Sequence, residues 1–381
     1  MRGIRILLAG GSTGGHIYPL IAVSQELQKI AANSGMQADI RYFGAAAEFS
    51  HAIEGSGIRY VSVISSKLRR YFSLLNVLDI GKFFIGFIQA LWKLFWFMPD
   101  VAFSKGGPGV LPMIYACVFY RIPIVIHESD SVPGLSNRLA AKYACRIFIG
   151  FASAIDAFSG KNVELAGNPI RPDLAAAQNR VSPEESAQVK RSLGFSDTEP
   201  LLLILGGSQG MARINDFILE NLRPMLKDFQ ILHQVGDRNY DGYAKEYAFL
   251  SKDWSDLEKN RYQFKAYFDE DLIPALQAAD AVLARAGATT IFELACFGKP
   301  AILVPLPEAA NDHQRRNAYQ YAKTGGAVVI EQENFLSNLV LEKIREIVHD
   351  KARLAAMGEA GRSFYKPAAS RLIAEGIAAE I

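Results

Sequence analysis

Twice in this chain a short apolar run breaks into a Gly-Gly-Ser turn and then a helix-like stretch, and this duplication narrows the possible folds more than any other feature. Ile6-Leu7-Leu8-Ala9 enters Gly10-Gly11-Ser12-Thr13-Gly14-Gly15-His16, and Leu202-Leu203-Ile204-Leu205 enters Gly206-Gly207-Ser208-Gln209-Gly210. Glycines at a strand-to-helix turn let the backbone take positive φ and come close to a ligand. The helix N-terminus that follows offers unpaired N–H groups and a partial positive charge. Such turns suit phosphate or a charged transition state.

Around both turns, short apolar runs alternate with longer helix-like stretches, the pattern of parallel sheets wrapped by crossover helices. Strands are expected over Ile4–Ala9, Ala38–Phe43, Arg59–Ile64, Val101–Ser104, Ile122–His127 and Arg146–Gly150. The series restarts with Leu201–Leu205, Ile231–Gly236, Tyr262–Phe268, Ala281–Arg285, Ala301–Val304 and Ala327–Ile330. Between the two series, Arg171 to Pro200 is rich in Ala, Gln, Ser, Pro and charge and holds no apolar strand. A chain of 381 residues exceeds one ordinary core. We therefore expect an α/β fold with one domain over residues 1–171 and a second over 172–363.

Other classes are disfavoured by composition and spacing. Lys and Arg total 41 against 39 Asp and Glu, so no nucleic-acid partner is expected. Cys117, Cys145 and Cys296 form no CxxC pair, which argues against a disulfide framework or a cysteine zinc site and fits buried thiols in a reducing compartment. The run Ile4–Ala9 is too short for a signal-peptide core and reads as a buried strand. Gly10 and Gly15 have P-loop spacing, but His16-Ile17 stands where Lys and Ser/Thr belong, so an NTPase is unsupported. Ser12 breaks the dinucleotide fingerprint. What remains is a ligand held at the carboxyl ends of two open α/β sheets, as in nucleotide-sugar transferases.

GGSTGGH (Gly10–His16) followed by Pro19, HESDSVPGLSNR (His127–Arg138), GNPIR (Gly167–Arg171), LGGSQG (Leu205–Gly210), ARAGATTIFE (Ala284–Glu293) and NDHQRRNA (Asn311–Ala318) occur in one order. In that order and spacing the chain resembles the MurG glycosyltransferase family over nearly its whole length. The resemblance implies a GT-B fold, two Rossmann-like parallel-sheet domains facing across a cleft, with a C-terminal helix over about 364–381 packing back on the first. It implies an inverting transfer of N-acetylglucosamine (GlcNAc) from UDP-GlcNAc to undecaprenyl-pyrophosphoryl-N-acetylmuramyl pentapeptide in peptidoglycan synthesis.

Carried over by position, Thr13, Gly14 and Gly15 would form the loop facing the donor sugar and the acceptor diphosphate. Asp130 would make a sugar contact, Arg171 would reach the nucleotide, and Ser208 would hold the UDP phosphates. Phe268 falls beside the uracil, Ala288, Thr289 and Thr290 form the turn before the next helix, Glu293 accepts from the ribose, and Gln314 contacts sugar hydroxyls. The implied site has no metal ligands and no obligatory cofactor, with Mg²⁺ at most a stimulant. Three positions depart from the family pattern: Asp130 for a frequent Asn, Pro108 for a frequent Tyr, and one Gln in Asp312-His313-Gln314 where some relatives carry two. Two neighbouring readings share these features, another GT-B glycolipid glycosyltransferase and an epimerase-like nucleotide-sugar protein that does not transfer.

The transfer needs a base, because the acceptor hydroxyl loses its proton as it attacks the anomeric carbon. His16 is the candidate, since a helix N-terminus favours the neutral imidazole that a base requires. Arg171 and preorganised amides would stabilise the leaving UDP.

One segment concerns the membrane. Lys67, Arg69 and Arg70 precede an apolar stretch from Phe83 to Met98 that holds Trp92 and Trp96 and is interrupted by Gln89 and Lys93. It reads as shorter than the ~20 residues of a spanning helix, and it lies between two strands of one sheet. The expectation is peripheral attachment to an anionic surface, the cytoplasmic face of the plasma membrane, with Lys82 and Lys93 among the basic residues and part of the segment in the core.

Overall fold

The structure is a computed structural model that describes residues 3–65, 75–178, 181–207, 211–307, 312–335 and 337–381. Ser208, Asn311, Lys67, Arg69 and Arg70, singled out from sequence, lie outside the described residues. The chain divides into two compact units, Met1–Ala175 with Lys366–Ile381, and Ala176–Tyr365.

The first unit runs β1 (Gly3–Ala9), α1 (Gly14–Asn33), β2 (Gln37–Gly44), α2 (Ser50–Gly55), β3 (Arg59–Ser62), α3 (Leu75–Phe97), β4 (Val101–Ser104), α4 (Leu111–Phe119), β5 (Ile124–Glu128), α5 (Leu135–Ala140), β6 (Arg146–Ile149) and β7 (Val163–Leu165). Its strands pair in parallel in the order β3-β2-β1-β4-β5-β6-β7, with Ile6 opposite Val101 and Ala9 opposite Ser104. After α6 (Pro172–Ala176), the second unit runs α7 (Pro183–Ser192), β8 (Leu201–Leu205), α8 (Ala212–Met225), β9 (Gln230–Gln234), α9 (Tyr240–Leu250), α10 (Asp256–Asn260), β10 (Tyr262–Lys265), α11 (Leu272–Ala278) and β11 (Ala281–Ala284). It continues through α12 (Ala288–Phe297), β12 (Ala301–Leu303), α13 (His313–Ala322), β13 (Ala327–Val329), α14 (Ser337–Val348) and α15 (Lys351–Arg362). Its parallel order is β10-β9-β8-β11-β12-β13.

Each order turns back once, at β1/β4 in the first sheet and at β8/β11 in the second. Successive crossovers leave in opposite directions there, so a crevice opens beyond the carboxyl ends of those strands, where open α/β sheets bind ligands. Both Gly-Gly-Ser turns follow the first strand of such a pair.

Strands buried on both faces read as continuous apolar runs, which is why Leu201–Leu205 is wholly buried. On one face of the first sheet α1 packs with α16 (Ala369–Ala378), joining Ile17, Leu20, Ile373 and Ile377 in one core. A Cβ at Gly376 would stand 2.3 Å from the Phe148 ring, so only glycine lets α16 lie this close to β6. The opposite face is covered by α3 and α4, through Ala90, Leu94, Phe97, Met113 and Ile114. Of the cysteines, Cys117 and Cys296 are buried, but Cys145 is exposed, which corrects the expectation of three buried thiols.

The α3 helix is 23 residues long. Length alone therefore does not exclude a span, contrary to the sequence reading. Its place does, since Gly86, Ala90, Leu94 and Phe97 form a buried stripe against the sheet and the helix connects β3 to β4. At ~1.5–3 kcal/mol for a fully buried Leu or Phe, that stripe ties α3 to the domain. The other face is apolar and exposed: Ile80, Phe84, Ile85, Ile88, Trp92, Phe95 and Trp96, with the two tryptophans 66% and 71% exposed.

Candidate active site

At the β1/β4 switch point the first glycine turn builds a histidine site. Thr13 is extended, with φ −114° and ψ 157°, and serves as the N-cap of α1 without bonding a helix amide through its side chain. Its hydroxyl lies instead 2.8 Å from His16 Nδ1. With Nδ1–H donating to that oxygen, Nε2 carries the lone pair a base needs. The Thr13 carbonyl accepts from His16 N and Ile17 N, while α1 has no acidic residue in its first turn. The leading amides at Gly14 and Gly15 thus suit an anion.

Gly106 and Gly107, beyond β4, close the other side of the imidazole with φ of 72° and 98°. A Cβ on Gly107 would fall 2.7 Å from His16 Nε2 and 2.8 Å from Gly11 N and Cα. Glycine puts no side chain against Nε2 and lets the two turns touch. Gly107→Ala is accordingly expected to cut turnover more than tenfold and to cost about 1–3 kcal/mol of stability. Steady-state rates and urea unfolding check this, and an alanine variant with unaltered rate would show that the close approach is dispensable.

Burial and, to a lesser degree, Lys105 lower the pKa of His16 to about 4 against an opposing pull from Asp130. The imidazole is therefore neutral at pH 7. Behind it lies a polar cluster that sequence reasoning missed. Lys105, only 2% exposed, donates from Nζ to His127 Nδ1 at 2.6 Å, Ser129 Oγ at 2.7 Å and Asn168 Oδ1 at 2.7 Å. His127 Nε2–H donates to Gly167 O at 2.8 Å, which fixes the tautomer. Buried Glu128 accepts from Asp130 N, Gly134 N and Asn137 Nδ2 at 2.9–3.1 Å. Burial pushes Lys105 down and Glu128 up, and the Glu128 and Asp130 carboxylates pull Lys105 back up. A lone lysine at the end of a buried central strand, just before Gly-Gly, was the signal to follow.

The other assigned residues are placed as follows. Asp130 is half-buried in the loop after β5. Arg171 is buried, its guanidinium 4.9 Å over the Tyr18 ring and bonded to Asp173 by Nε at 3.2 Å and Nη2 at 2.7 Å. To reach a nucleotide it must exchange the Asp173 carboxylate for phosphate, a like-for-like trade of anions.

In the second unit the β8/β11 switch point brings Gly206-Gly207 beside Arg285-Ala286-Gly287, tied by Arg285 N donating to Leu205 O at 3.3 Å. Gly207 has φ 76° with open space where a Cβ would stand. Gly287 is the extended N-cap of α12, whose first turn is Ala288-Thr289-Thr290 with no acidic residue. Beyond β12, Gln314 Oε1 accepts from Leu306 N at 3.1 Å. Glu293 is buried, 9% exposed. Phe268 is also buried, and its N–H donates to Gln234 Oε1 at 3.2 Å. Carboxylates two apart stand at the end of β5 (Glu128, Asp130) and beyond β10 (Asp269, Asp271), and Asp271 pairs with Lys265. Among the described residues no three His, Cys, Asp or Glu side chains form a metal-binding group.

Two parallel sheets, each with a glycine turn at its switch point, are the architecture of the GT-B class. The profile of the glycosyltransferase family 28 N-terminal domain matches residues 6–149, and that of the family 28 C-terminal domain matches residues 201–372. Within this class the chain belongs to the family of UDP-N-acetylglucosamine–N-acetylmuramyl-(pentapeptide) pyrophosphoryl-undecaprenol N-acetylglucosamine transferases. It is 32% identical to the Clostridium kluyveri member, over 90% of this chain and 91% of that protein, and 31% identical to the Clostridium tetani member, over 92% and 91%. The crystal structure of Acinetobacter baumannii MurG superposes with a TM-score of 0.71 at 22% identity, covering 99% of both chains. A UDP-GlcNAc 2-epimerase from Neisseria meningitidis superposes at 0.70 with 13% identity, covering 99% of this chain and all of that one, so the fold extends beyond transferases.

Proposed function

We propose that the chain transfers GlcNAc from UDP-GlcNAc to undecaprenyl-pyrophosphoryl-N-acetylmuramyl pentapeptide, with inversion, as a peripheral enzyme on the cytoplasmic face of the plasma membrane. The observation that carries this reading is a neutral, oriented imidazole at the switch point of a chain that belongs over nearly its whole length to that transferase family. His16 Nε2 takes the proton of the attacking hydroxyl. The amides of Gly14 and Gly15, with Thr13 beside them, face the acceptor diphosphate and donor sugar, and Asp130 accepts from a sugar hydroxyl. In the second unit the start of α12 at Ala288, Thr289 and Thr290 receives the UDP phosphates, with Ser208 as a further ligand, and in the first unit Arg171 offers a guanidinium to the nucleotide. Glu293 accepts from the ribose, Gln314 holds the sugar, and the segment at Phe268 borders the uracil. Charge on the departing UDP is met by these dipoles and the guanidinium, and we assign no obligatory metal.

Purified full-length protein, UDP-GlcNAc labelled in the sugar, and the lipid-linked acceptor in detergent test the reading. Label is expected in the lipid product, with EDTA leaving transfer in place and Mg²⁺ at most raising its rate. Label in free sugar or an epimer, or transfer only to diacylglycerol, would replace this reading with one of the neighbouring ones.

Burial of Glu293 sharpens the donor test. Glu293→Gln keeps the shape and removes the charge, so a charge-assisted bond to ribose weakens by about 1.5 kcal/mol, roughly tenfold in UDP-GlcNAc affinity. Calorimetry returning the wild-type affinity would remove Glu293 from the donor site.

A further inference from the structure

We propose that Lys105 is a positioning residue for the transfer, its side chain joining the carboxyl ends of β4, β5 and β7 and, when protonated, placing a positive charge behind His16. The inference rests on the functional reading above for its kinetic test. Lys105 is the first residue after β4, and its backbone N–H donates to Ala9 O at 2.9 Å, which ties it to β1. Its three side-chain bonds reach His127 in β5, Ser129 just beyond β5, and Asn168 beyond β7. One residue therefore links four strand ends.

Those bonds lie next to the residues assigned to the reaction. Ser129 precedes Asp130, Asn168 stands three residues before Arg171, and Lys105 itself leads into Gly106-Gly107, which frame His16. The stem of the lysine also borders the histidine across Gly10: a Cβ there would stand 3.7 Å from Lys105 Cβ and 3.6 Å from His16 Cβ.

Hydrogen bonding alone does not account for a lysine at this place. Its three acceptors, a neutral imidazole, a hydroxyl and an amide oxygen, would be served at less desolvation cost by uncharged donors. What the ammonium adds is charge, and in a buried setting charge acts over several ångströms. The titratable groups facing it are His16, His127, Glu128 and Asp130. Toward His16 the cation opposes protonation, while Asp130 favours it, so the pair sets how much of the imidazole is available as a base.

The test compares wild type with Lys105→Met, which removes bonds and charge, and Lys105→Gln, which keeps donors and removes charge. Transfer to the lipid-linked acceptor is followed from about pH 3.5 to 9, with UDP-GlcNAc affinity by calorimetry. Both variants are expected to lose at least about tenfold in kcat, with the donor KM and UDP-GlcNAc affinity within about twofold of wild type. The acid limb should move up by about one pH unit as His16 becomes easier to protonate. An independent readout is the C2-proton titration of His16 by NMR, one of six histidines in the chain, assigned by its loss in His16→Ala. It is expected to titrate about one unit higher in Lys105→Gln than in wild type.

Wild-type turnover and pH profile in Lys105→Gln would overturn the proposal. So would reduced turnover with the acid limb and the His16 titration unmoved, since the lysine would then only fill space. If wild type transfers nothing to the lipid acceptor, the functional reading fails instead, and the NMR titration still decides whether Lys105 acts on His16.

Discussion

Replacing His16 with alanine is expected to lower turnover by roughly 10² to 10⁴, the usual contribution of a positioned general base, while UDP-GlcNAc binding survives. The expectation rests on geometry and charge together. Thr13 Oγ at 2.8 Å holds Nδ1, Gly107 puts no side chain against Nε2, and the ring is neutral at physiological pH. Burial and Lys105 depress the proton affinity to about 4. The direction of the pH dependence follows: a base with a lowered pKa stays competent as pH falls through 6.5 and is lost only near its own value. Wild-type kcat/KM should therefore lack a His-type limb near 6.5. An anionic diphosphate beside the imidazole would raise its affinity for a proton, as Asp130 does, and strengthen the base when substrate is bound. Near-normal turnover of His16→Ala at saturating substrates would remove the base from the mechanism.

Much of the architecture is legible from local rules. Val101–Ser104 and Leu201–Leu205 are strands residue for residue because each is a buried apolar run bounded by polar or turn-forming neighbours. The short edge strand Val163–Leu165 escapes the reading, since three residues with a central Glu show neither an apolar run nor an extended alternation. Site residues divide along the same physical line. His16 is legible because a glycine turn before a helix has few other uses, whereas Lys105 matters only through partners up to 63 positions away. Tertiary contact of that kind leaves no periodic trace.

Glu293 shows the reverse, a signal that was present. Ala288–Phe297 is apolar around its whole circumference, and such a helix is buried on every side. A carboxylate in its second turn is therefore inside. The α3 helix divides between both readings, with its Gly86, Ala90, Leu94 and Phe97 stripe in the core and its opposite face carrying the residues that resemble a membrane anchor.

That opposite face makes the second large prediction. Trp92 and Trp96 stand edge to face at 6.0 Å, with Phe95 against Trp96 at 5.4 Å, and Ile88 is 64% exposed one turn before Trp92. Soluble monomers rarely leave so many large apolar side chains together in water. An enzyme whose acceptor is tethered to lipid gains from dipping them into the bilayer interface. Of the described basic residues nearby, Lys82 is exposed, while Lys93 bonds the Ser62 carbonyl and is partly spent on the fold. The apolar contribution should thus exceed the electrostatic one. Replacing Ile88, Trp92 and Trp96 together with glutamine removes three side chains worth at least ~1.5 kcal/mol each when fully buried. If they insert about halfway, roughly 2 kcal/mol is lost, or about thirty-fold in partition. All three point away from the core, so thermal unfolding should change little. Flotation with anionic vesicles at low and high salt reads the result, with Arg69→Glu/Arg70→Glu alongside. The glutamine variant should stay with the soluble fraction at both salts, and the glutamate variant should lose binding mainly at low salt. Wild-type flotation by the triple variant would mean that α3 does not touch the bilayer and that its exposed face serves another partner.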